Sequence, residues 1–328
     1  MRSVRLTDPV IGRRVCQVFS GLASPAGAVG VGVRDAVSVT GRTFAGGHER
    51  QGWYPWAMPL RLLLLVVLLC PPLSSAGALF DAHLHYDAEH VSALPPEAVL
   101  ARLDGSGVHH ALVTGMPPRT VLELHRAAPQ RIIPLLGVYR RPGDKRDWHA
   151  DAGLPGRVER ALATGPWRGI GEVHVLAPHR HSPVLRRLAE LAAAHDLPLL
   201  LHADPAVVDT LYETVPGVTL IWAHAGTYPY PELIADYLAR YPRLHVDLSV
   251  RDARIAPGGE LDDAWYRLLA EHSDRFLVGV DTFSLTRWQD YGRVVGDIRR
   301  WLEQLPPEVA ARLARGNAER LVGVRSEE

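Results

Sequence analysis

Histidines and carboxylates stand at the ends of several predicted β-strands in this 328-residue chain. His83 and His85 close the first predicted strand, and Glu172 and His174 close the fourth. Successive residues of a strand point to opposite faces, so two residues that are two apart share a face. Each pair therefore presents two side chains that bind metals or move protons on one side of its strand.

Three further predicted strands end in the same kinds of side chain. His202 follows the fifth strand, His224 the sixth and Asp281 the eighth. Imidazole nitrogen and carboxylate oxygen together suit zinc, manganese or iron. We therefore expect a divalent metal centre, with zinc preferred and one or two ions bound.

Each of these residues alone has an ordinary structural explanation. A single strand-end histidine is more often packed or exposed, and Asp281 alone could cap a turn or pair with an arginine. Five strand ends of one chemical kind are harder to obtain from packing. An apolar strand gains nothing by ending in a charged group, which is costly to bury unless it is paired or metal-bound.

The elements that must position these side chains alternate between strand and helix. The predicted strands span 78–85, 111–116, 131–139, 168–175, 197–202, 218–224, 244–249 and 276–281. Amphipathic segments with apolar residues at i, i+3 and i+4 lie between them, such as 183–195, and proline or glycine marks most boundaries. Eight such units in about 250 residues predict a single-domain α/β fold, a TIM (β/α)8 barrel, with a doubly wound open sheet as the alternative. Polar strand ends that converge on one mouth favour the barrel.

The segment that precedes the predicted barrel is typical of a secretory signal. Residues 58–78 carry a basic start at Arg61, an apolar run over 62–69 and a small-x-small site that predicts cleavage after Ala78. The run is shorter than the ~20 residues that span a bilayer. A lipoprotein signal is disfavoured because the bulky Leu69 precedes Cys70. We expect a periplasmic or secreted protein whose domain spans 79–328, with no membrane span after cleavage.

Residues 1–57 show no sustained apolar period, and our hypothesis is that they are a disordered or mistranslated extension ahead of a true start at Met58. The whole chain has 36 basic and 36 acidic residues, which argues against nucleic-acid binding. A small-molecule substrate is expected instead. The oligomeric state is not predicted.

The ordered set of strand-end residues resembles the amidohydrolase superfamily. The opening FDAHLH, residues 80–85, and the closing GNAERL, residues 316–321, are similar to its amidohydrolase-related branch. The resemblance covers essentially all of 79–328. It implies that His83, His85 and Asp281 hold a first metal. His202 and His224 would hold a second or, in a single-metal centre, supply one ligand and one substrate contact.

Many binuclear relatives bridge their metals with a carboxylated lysine on the fourth strand. That is excluded here, because Lys145 is the only lysine and follows the third strand. The resemblance implies that Glu172 takes the bridging role. If Glu172 instead faces an arginine, the centre would hold one metal.

The ligand set and the resemblance together imply hydrolysis. A metal-bound water has a pKa of ~7 and attacks an ester, lactone, amide or phosphoester bond. Asp281 would carry the proton to the leaving group, and His224 or His174 would stabilise the oxyanion or contact the substrate.

Two alternatives stay open. One is a single-metal decarboxylase of the same superfamily, which needs a cationic group for an aromatic acid; Arg140, Arg141 and Arg251 are the candidates. The other is a non-catalytic barrel that binds a metal or a ligand.

Overall fold

The computed structural model describes residues 77–324. The predicted extension, 1–57, lies outside these residues, as does the predicted signal peptide, 58–78, except for its last two positions. Both assignments stay predictions. Within 77–324, no helix combines the length and the apolar character needed to cross a membrane.

Within residues 77–324, eight strands form two parallel sheets, which confirms the predicted α/β class. One sheet has the order β1-β2-β3 and the other the order β4-β5-β6-β7-β8. The strand order follows the chain order throughout, whereas a doubly wound sheet reverses direction at a switch point. The arrangement is consistent with a TIM barrel. The strands are β1 (Leu79–His85), β2 (Val108–Thr114), β3 (Ile132–Pro134), β4 (Ile170–Val175), β5 (Pro198–Ala203), β6 (Thr219–Trp222), β7 (Leu244–Asp247) and β8 (Phe276–Leu277).

Backbone contacts connect the two sheets at both of their edges. Leu136, just beyond β3, forms an isolated parallel bridge with Ile170 of β4. On the opposite side, the amide of Ala82 in β1 donates to the carbonyl of Val278, 2.8 Å away and just beyond β8. Several strands are shorter than predicted, β3 and β8 most of all, because regular pairing ends before the apolar run does.

The helices follow the strands, and six of them carry proline in the first turn. Proline is favoured there because the first-turn amides have no intrahelical partner. The helices are α1 (Ala88–Val91), α2 (Pro96–Gly105), α3 (Arg119–Ala127), α4 (Leu154–Leu162), α5 (Pro183–Ala194), α6 (Pro205–Thr214), α7 (Pro231–Arg240), α8 (Asp252–Ile255), α9 (Asp263–Glu271), α10 (Leu285–Gln289), α11 (Tyr291–Leu302), α12 (Pro307–Ala311) and α13 (Asn317–Val322). Short 3₁₀ helices span Pro142–Arg146, Trp148–Ala150, Ala177–His179, Ala223–Ala225 and Pro257–Gly259, and a π-helical turn spans Arg312–Gly316.

The buried apolar residues form two clusters. The larger one lies between the strands and the helices. The smaller one gathers side chains from different strands, among them Phe80 of β1, Leu112 of β2, Leu200 of β5 and Leu277 of β8. Ala318 and Val322 of α13 join this inner cluster. The last helix therefore covers the N-terminal ends of the strands. The opposite end is left for polar side chains.

A buried asparagine attaches the last helix to β8. The side-chain amide of Asn317 donates to the carbonyls of Ser273 and Phe276, both at 2.8 Å, and the residue is fully buried. Without that amide, two buried carbonyls would lose a hydrogen-bond donor. The GNAERL segment therefore has a structural role at the closed end of the strands.

Substituting Asn317→Ala is expected to lower the free energy of unfolding by about 2–4 kcal/mol, since each unsatisfied buried group costs about 1–3 kcal/mol. Gln304→Ala is the matched control: Gln304 also donates to two carbonyls, those of Gly259 and Arg300, but it is exposed. Its loss should stay below about 1 kcal/mol. Urea denaturation measures both, and equal losses would contradict the role of Asn317.

Candidate metal centre

His83, His85 and Asp281 form one compact group of potential metal ligands. The Nε2 atoms of His83 and His85 lie 3.2 Å apart. Asp281 Oδ1 is 3.4 Å from His85 Nε2 and 3.8 Å from His83 Nε2. All three side chains are buried, and their ligand atoms lie within 4.8 Å of one another. The two-residue spacing of the histidines thus directs both rings to the same point.

Close contact between β1 and the segment after β8 brings Asp281 to these rings. A Cβ atom on Gly279 would lie 2.8 Å from the His83 Cβ, so only glycine allows this approach. Asp81 reinforces it, because its Oδ1 accepts hydrogen bonds from the amides of His83 and Val280, both at 3.1 Å. Asp281 has a φ of 58°, in the left-handed region, and its amide donates to the carbonyl of His83 at 2.7 Å.

Glu172 of β4 lies between this group and the remaining histidines. Its Oε2 is 3.3 Å from the Nε2 atoms of both His85 and His174. Its Oε1 is 3.0 Å from His202 Nδ1 and 3.3 Å from His224 Nε2. One carboxylate therefore has four imidazoles within 3.3 Å, two at each oxygen, and His83 Nε2 lies 3.8 Å from Oε2. Among the residues described, Glu172 has no lysine or arginine within ion-pair distance.

His224 reaches the site through a turn rather than through a strand. The residue follows β6 in a 3₁₀ turn with φ 58° and ψ 28°, which is a left-handed conformation. Its amide donates to Asp247 Oδ2 at 3.2 Å, and its carbonyl accepts from Arg251 Nε at 2.7 Å. Both hydrogen bonds stabilise this left-handed conformation, which has an energetic cost of about 1 kcal/mol for any residue other than glycine.

Asp247 at the end of β7 fixes the orientation of two histidine rings. Its Oδ2 accepts from His83 Nδ1 at 2.7 Å and from the Ser249 hydroxyl at 2.6 Å. Because the Ser249 hydroxyl proton is used in that bond, its oxygen accepts from His224 Nδ1 at 2.8 Å. Both rings then carry a proton on Nδ1, so Nε2 is the nitrogen that faces the cluster and is available to a cation or a second proton. Carboxylates set histidine ligands in this way at metal sites.

The charges around this cluster are mutually dependent. Burial disfavours a charged imidazole, but Asp281 and Asp247 outweigh it and raise the pKa of His83 to about 10. Burial likewise opposes ionisation of Glu172, yet hydrogen bonds from the histidines hold the pKa of that carboxyl well below its usual value. The pKa of His174 falls to about 3, chiefly through burial, so its ring is neutral.

The donor set fits a divalent cation. Asp281 Oδ1 is buried and has no hydrogen-bond partner. Among the described residues, the carboxylates of Glu172, Asp247 and Asp281 have only histidines within ion-pair distance. Buried carboxylates without a cation are unfavourable, and a metal ion would supply the missing positive charge. Protons on the histidines supply it otherwise, since metals and protons compete for such ligands.

Comparison with known proteins agrees with the geometry. The sequence model of the amidohydrolase family matches residues 80–324. The chain belongs to this family. Among proteins of curated function, none matches the sequence significantly.

Solved structures share the fold of this amidohydrolase. An amidohydrolase from Burkholderia multivorans has 16% identity and a TM-score of 0.52 over 76% of this chain and all of that one. A putative 2-pyrone-4,6-dicarboxylic acid hydrolase from Pseudomonas putida has 16% identity and a TM-score of 0.54, covering 76% and 99% of the two chains. A TatD homologue from Escherichia coli K12 has 18% identity and a TM-score of 0.54, covering 75% and 98%. At these identities the likeness establishes the fold alone.

The structure brings together every site residue singled out in the sequence of this amidohydrolase. His83, His85, Glu172, His224 and Asp281 are buried, and the two remaining histidines stand at the edge of the cluster. The exposed fractions of those two side chains are 29% for His174 and 37% for His202.

Sequence reasoning missed Asp247, Ser249 and Thr282. The Thr282 hydroxyl accepts from the amide of His85 and donates to its carbonyl, both at 2.9 Å, and so fixes the end of β1. Asp247 ends β7 and Ser249 follows two residues later, which is the spacing of the histidines of β1. That spacing was the available signal.

The arginines considered as substrate-binding groups are already engaged. Arg251 donates to the carbonyls of His224 and Gly226, at 2.7 and 3.1 Å. Arg140 and Arg141 both contact the carboxylate of Asp144, at 3.4 and 3.1 Å. Arg251 therefore supports the turn that carries His224.

The Asp247→Asn substitution tests the buried carboxylate in chelator-treated protein. Burial opposes its charge, but the His83 ring holds the pKa of Asp247 at about 2 in the folded state, against about 3.9 for a free side chain. A lowered folded-state pKa stabilises the fold above about pH 4, and the contribution disappears as the pH falls toward 2. We expect Asp247→Asn to destabilise the protein at pH 6 by about 2 kcal/mol. Asp281 still keeps His83 protonated in the variant, so the difference follows only the titration of Asp247. It should therefore shrink below pH 4, as Asp247 of the wild type becomes protonated.

Asp297→Asn is the control for this substitution. Asp297 pairs with Arg293 and Arg300 at the surface, where such a pair contributes less than about 1 kcal/mol. Denaturant unfolding from pH 3 to 6 gives both profiles. A pH-independent loss in Asp247→Asn would show that the carboxylate charge is not what matters.

Proposed function

We propose that this amidohydrolase is a metal-dependent hydrolase with two adjacent divalent-cation positions. The observation that carries the proposal is the placement of Glu172, whose two carboxylate oxygens each lie within 3.3 Å of two imidazole nitrogens. A carboxylate shared in this way is suited to bridge two cations. We also propose that the eight strands form a closed (β/α)8 barrel around this site.

The family resemblance implies the ligand assignment, and the grouping of His83 and His85 with Asp281 supports it. His83, His85 and Asp281 would hold one cation, and His202 and His224 the other, with Glu172 between them. Imidazole and carboxylate ligands favour zinc, with manganese or iron as alternatives. The unpartnered Oδ1 of Asp281 and the Nε2 atoms oriented by Asp247 support this assignment.

The bound metal would polarise the scissile carbonyl or phosphoryl group and lower the pKa of a water molecule toward ~7. Side chains of the protein would carry out proton transfer and substrate binding. Asp281 takes the proton of the attacking water and delivers it to the leaving group. His174, whose ring is neutral and partly exposed, contacts the substrate at the edge of the cluster. In a single-cation centre, Nε2 of His224 would instead carry a proton and stabilise the developing negative charge.

The bond cleaved is proposed to be an ester, lactone, amide or phosphoester bond. A decarboxylase would use one metal and a cation that binds an aromatic acid. The three arginines considered for that role are engaged elsewhere. Hydrolysis is therefore the function that the geometry supports best, and decarboxylation is one outcome of the tests.

Metal content tests the bridging role of Glu172. Plasma mass spectrometry should find two metal ions per chain in the purified protein and one in Glu172→Gln. Glu190→Gln is the control, because Glu190 pairs with arginines on the exposed face of α5, and it should retain two. One ion in wild type and in Glu172→Gln would favour the decarboxylase. No metal in any variant after reconstitution would overturn the proposal.

Turnover tests Asp281. Hydrolysis of 4-nitrophenyl acetate, δ-valerolactone and 4-nitrophenyl phosphate should identify the bond class. Asp281→Asn should then lower kcat by roughly a hundredfold or more, because proton transfer by a positioned side chain contributes about that much. Asp290→Asn, at a surface ion pair, should behave as wild type. Wild-type turnover in Asp281→Asn, with its metal content measured alongside, would refute the role of Asp281.

A further inference from the structure

A narrow cleft leads from the candidate metal centre to the loop after β3. Its lining includes His85, Glu172 and His174 of the cluster, together with Tyr139 and Lys145. The cleft has a volume of only about 10 Å³, so a substrate would lie across its mouth, between the cluster and the loop. The loop therefore belongs to the substrate side of the site.

Lys145 is the only lysine in the chain and lies in the 3₁₀ helix Pro142–Arg146. Its neighbours Arg140 and Arg141 are both paired with Asp144. Among the ion pairs within residues 77–324, none includes Lys145. Its ammonium group is exposed at the cleft without an acidic partner, whereas Arg140 and Arg141 both donate hydrogen bonds to Asp144.

Tyr139 positions this ammonium group. The Lys145 Nζ lies 5.7 Å from the centroid of the Tyr139 ring, within the range of a cation–π contact. Tyr139 is itself buried, and its hydroxyl accepts from the amide of His174 at 2.8 Å. The same tyrosine thus contacts the loop lysine and the strand that carries Glu172 and His174. The position of the cation is tied to that of the cluster.

The net charge of the cleft limits what it can accept. Besides Lys145, the carboxylates of Asp87 and Glu172 line it. Asp87 Oδ1 is used by the amide of Met116, at 2.7 Å. The surrounding imidazoles offset the charge of Glu172, which leaves Lys145 beside Asp87. A singly charged carboxylate is repelled less by Asp87 than a doubly charged phosphate is.

We propose that Lys145 binds a carboxylate group of the substrate while the reacting bond of that substrate lies at the metal cluster. This deepens the proposed function and rests on it for the location of the reacting bond. The substrate class is a small carboxylic acid that also carries the hydrolysable bond. Lys145 is then the residue that selects anionic over neutral substrates.

Succinate and its neutral diamide, succinamide, are the binding probes. Isothermal titration calorimetry is done with the purified protein as isolated and again after treatment with a chelator. We expect succinate to bind wild type more tightly than succinamide. Lys145→Met should weaken succinate binding by about tenfold or more, as expected for loss of a hydrogen bond between charged groups. Lys145→Arg should retain most of the affinity.

Arg146→Met is the matched control, since it removes one positive charge from the adjacent, exposed position and should leave succinate binding unchanged. Equal succinate affinity in Lys145→Met and wild type would overturn the proposal, as would absence of succinate binding to wild type. An equal loss in Arg146→Met would also overturn it, because the effect would be one of general charge. Metal content and hydrolysis of neutral 4-nitrophenyl acetate by wild type separately report whether the proposed function fails.

Discussion

Buried negative charge is the constraint on which the rest of this structure depends. Glu172, Asp247 and Asp281 lie together at the open end of the strands with only imidazoles within ion-pair distance, among the residues described. Such a group is stable only if cations or protons neutralise it. The surrounding residues position this group. Gly279 allows β1 and the segment after β8 to come close together, and Arg251 holds the turn that presents His224.

The sequence was sufficient for the parts of the site that depend on local periodicity. His83 and His85 share a face because they are two residues apart on a strand, and Glu172 and His174 follow the same rule. The alternation of strands and helices was likewise enough to predict the α/β class. The predicted barrel implies contact across the edges of the two sheets, but the residues that meet there, such as Leu136 and Ile170, depend on tertiary geometry and were not predicted.

The supporting residues were harder to recognise. Asp247 and Ser249 close a short apolar run in the same way as the histidines do, but they look like ordinary strand-end polar residues until the rings they orient are known. Arg251 is a different case, since it was a candidate for substrate binding as a loop arginine near the predicted site, and in the structure it bonds to two carbonyls. Lys145 was considered only as a metal bridge, and its place in the cleft comes from the fold.

The left-handed turn at His224 has a consequence for the energetics of ligand binding. Two hydrogen bonds and a hydroxyl fix the backbone and ring of this residue during folding, so little conformational entropy is left to lose when a ligand arrives. The cost of ordering the site is then part of the folding free energy. By thermodynamic linkage, whatever binds the ordered site also stabilises the fold. A substitution that loosens the His224 turn is therefore expected to lower both the stability of the fold and the affinity of the site.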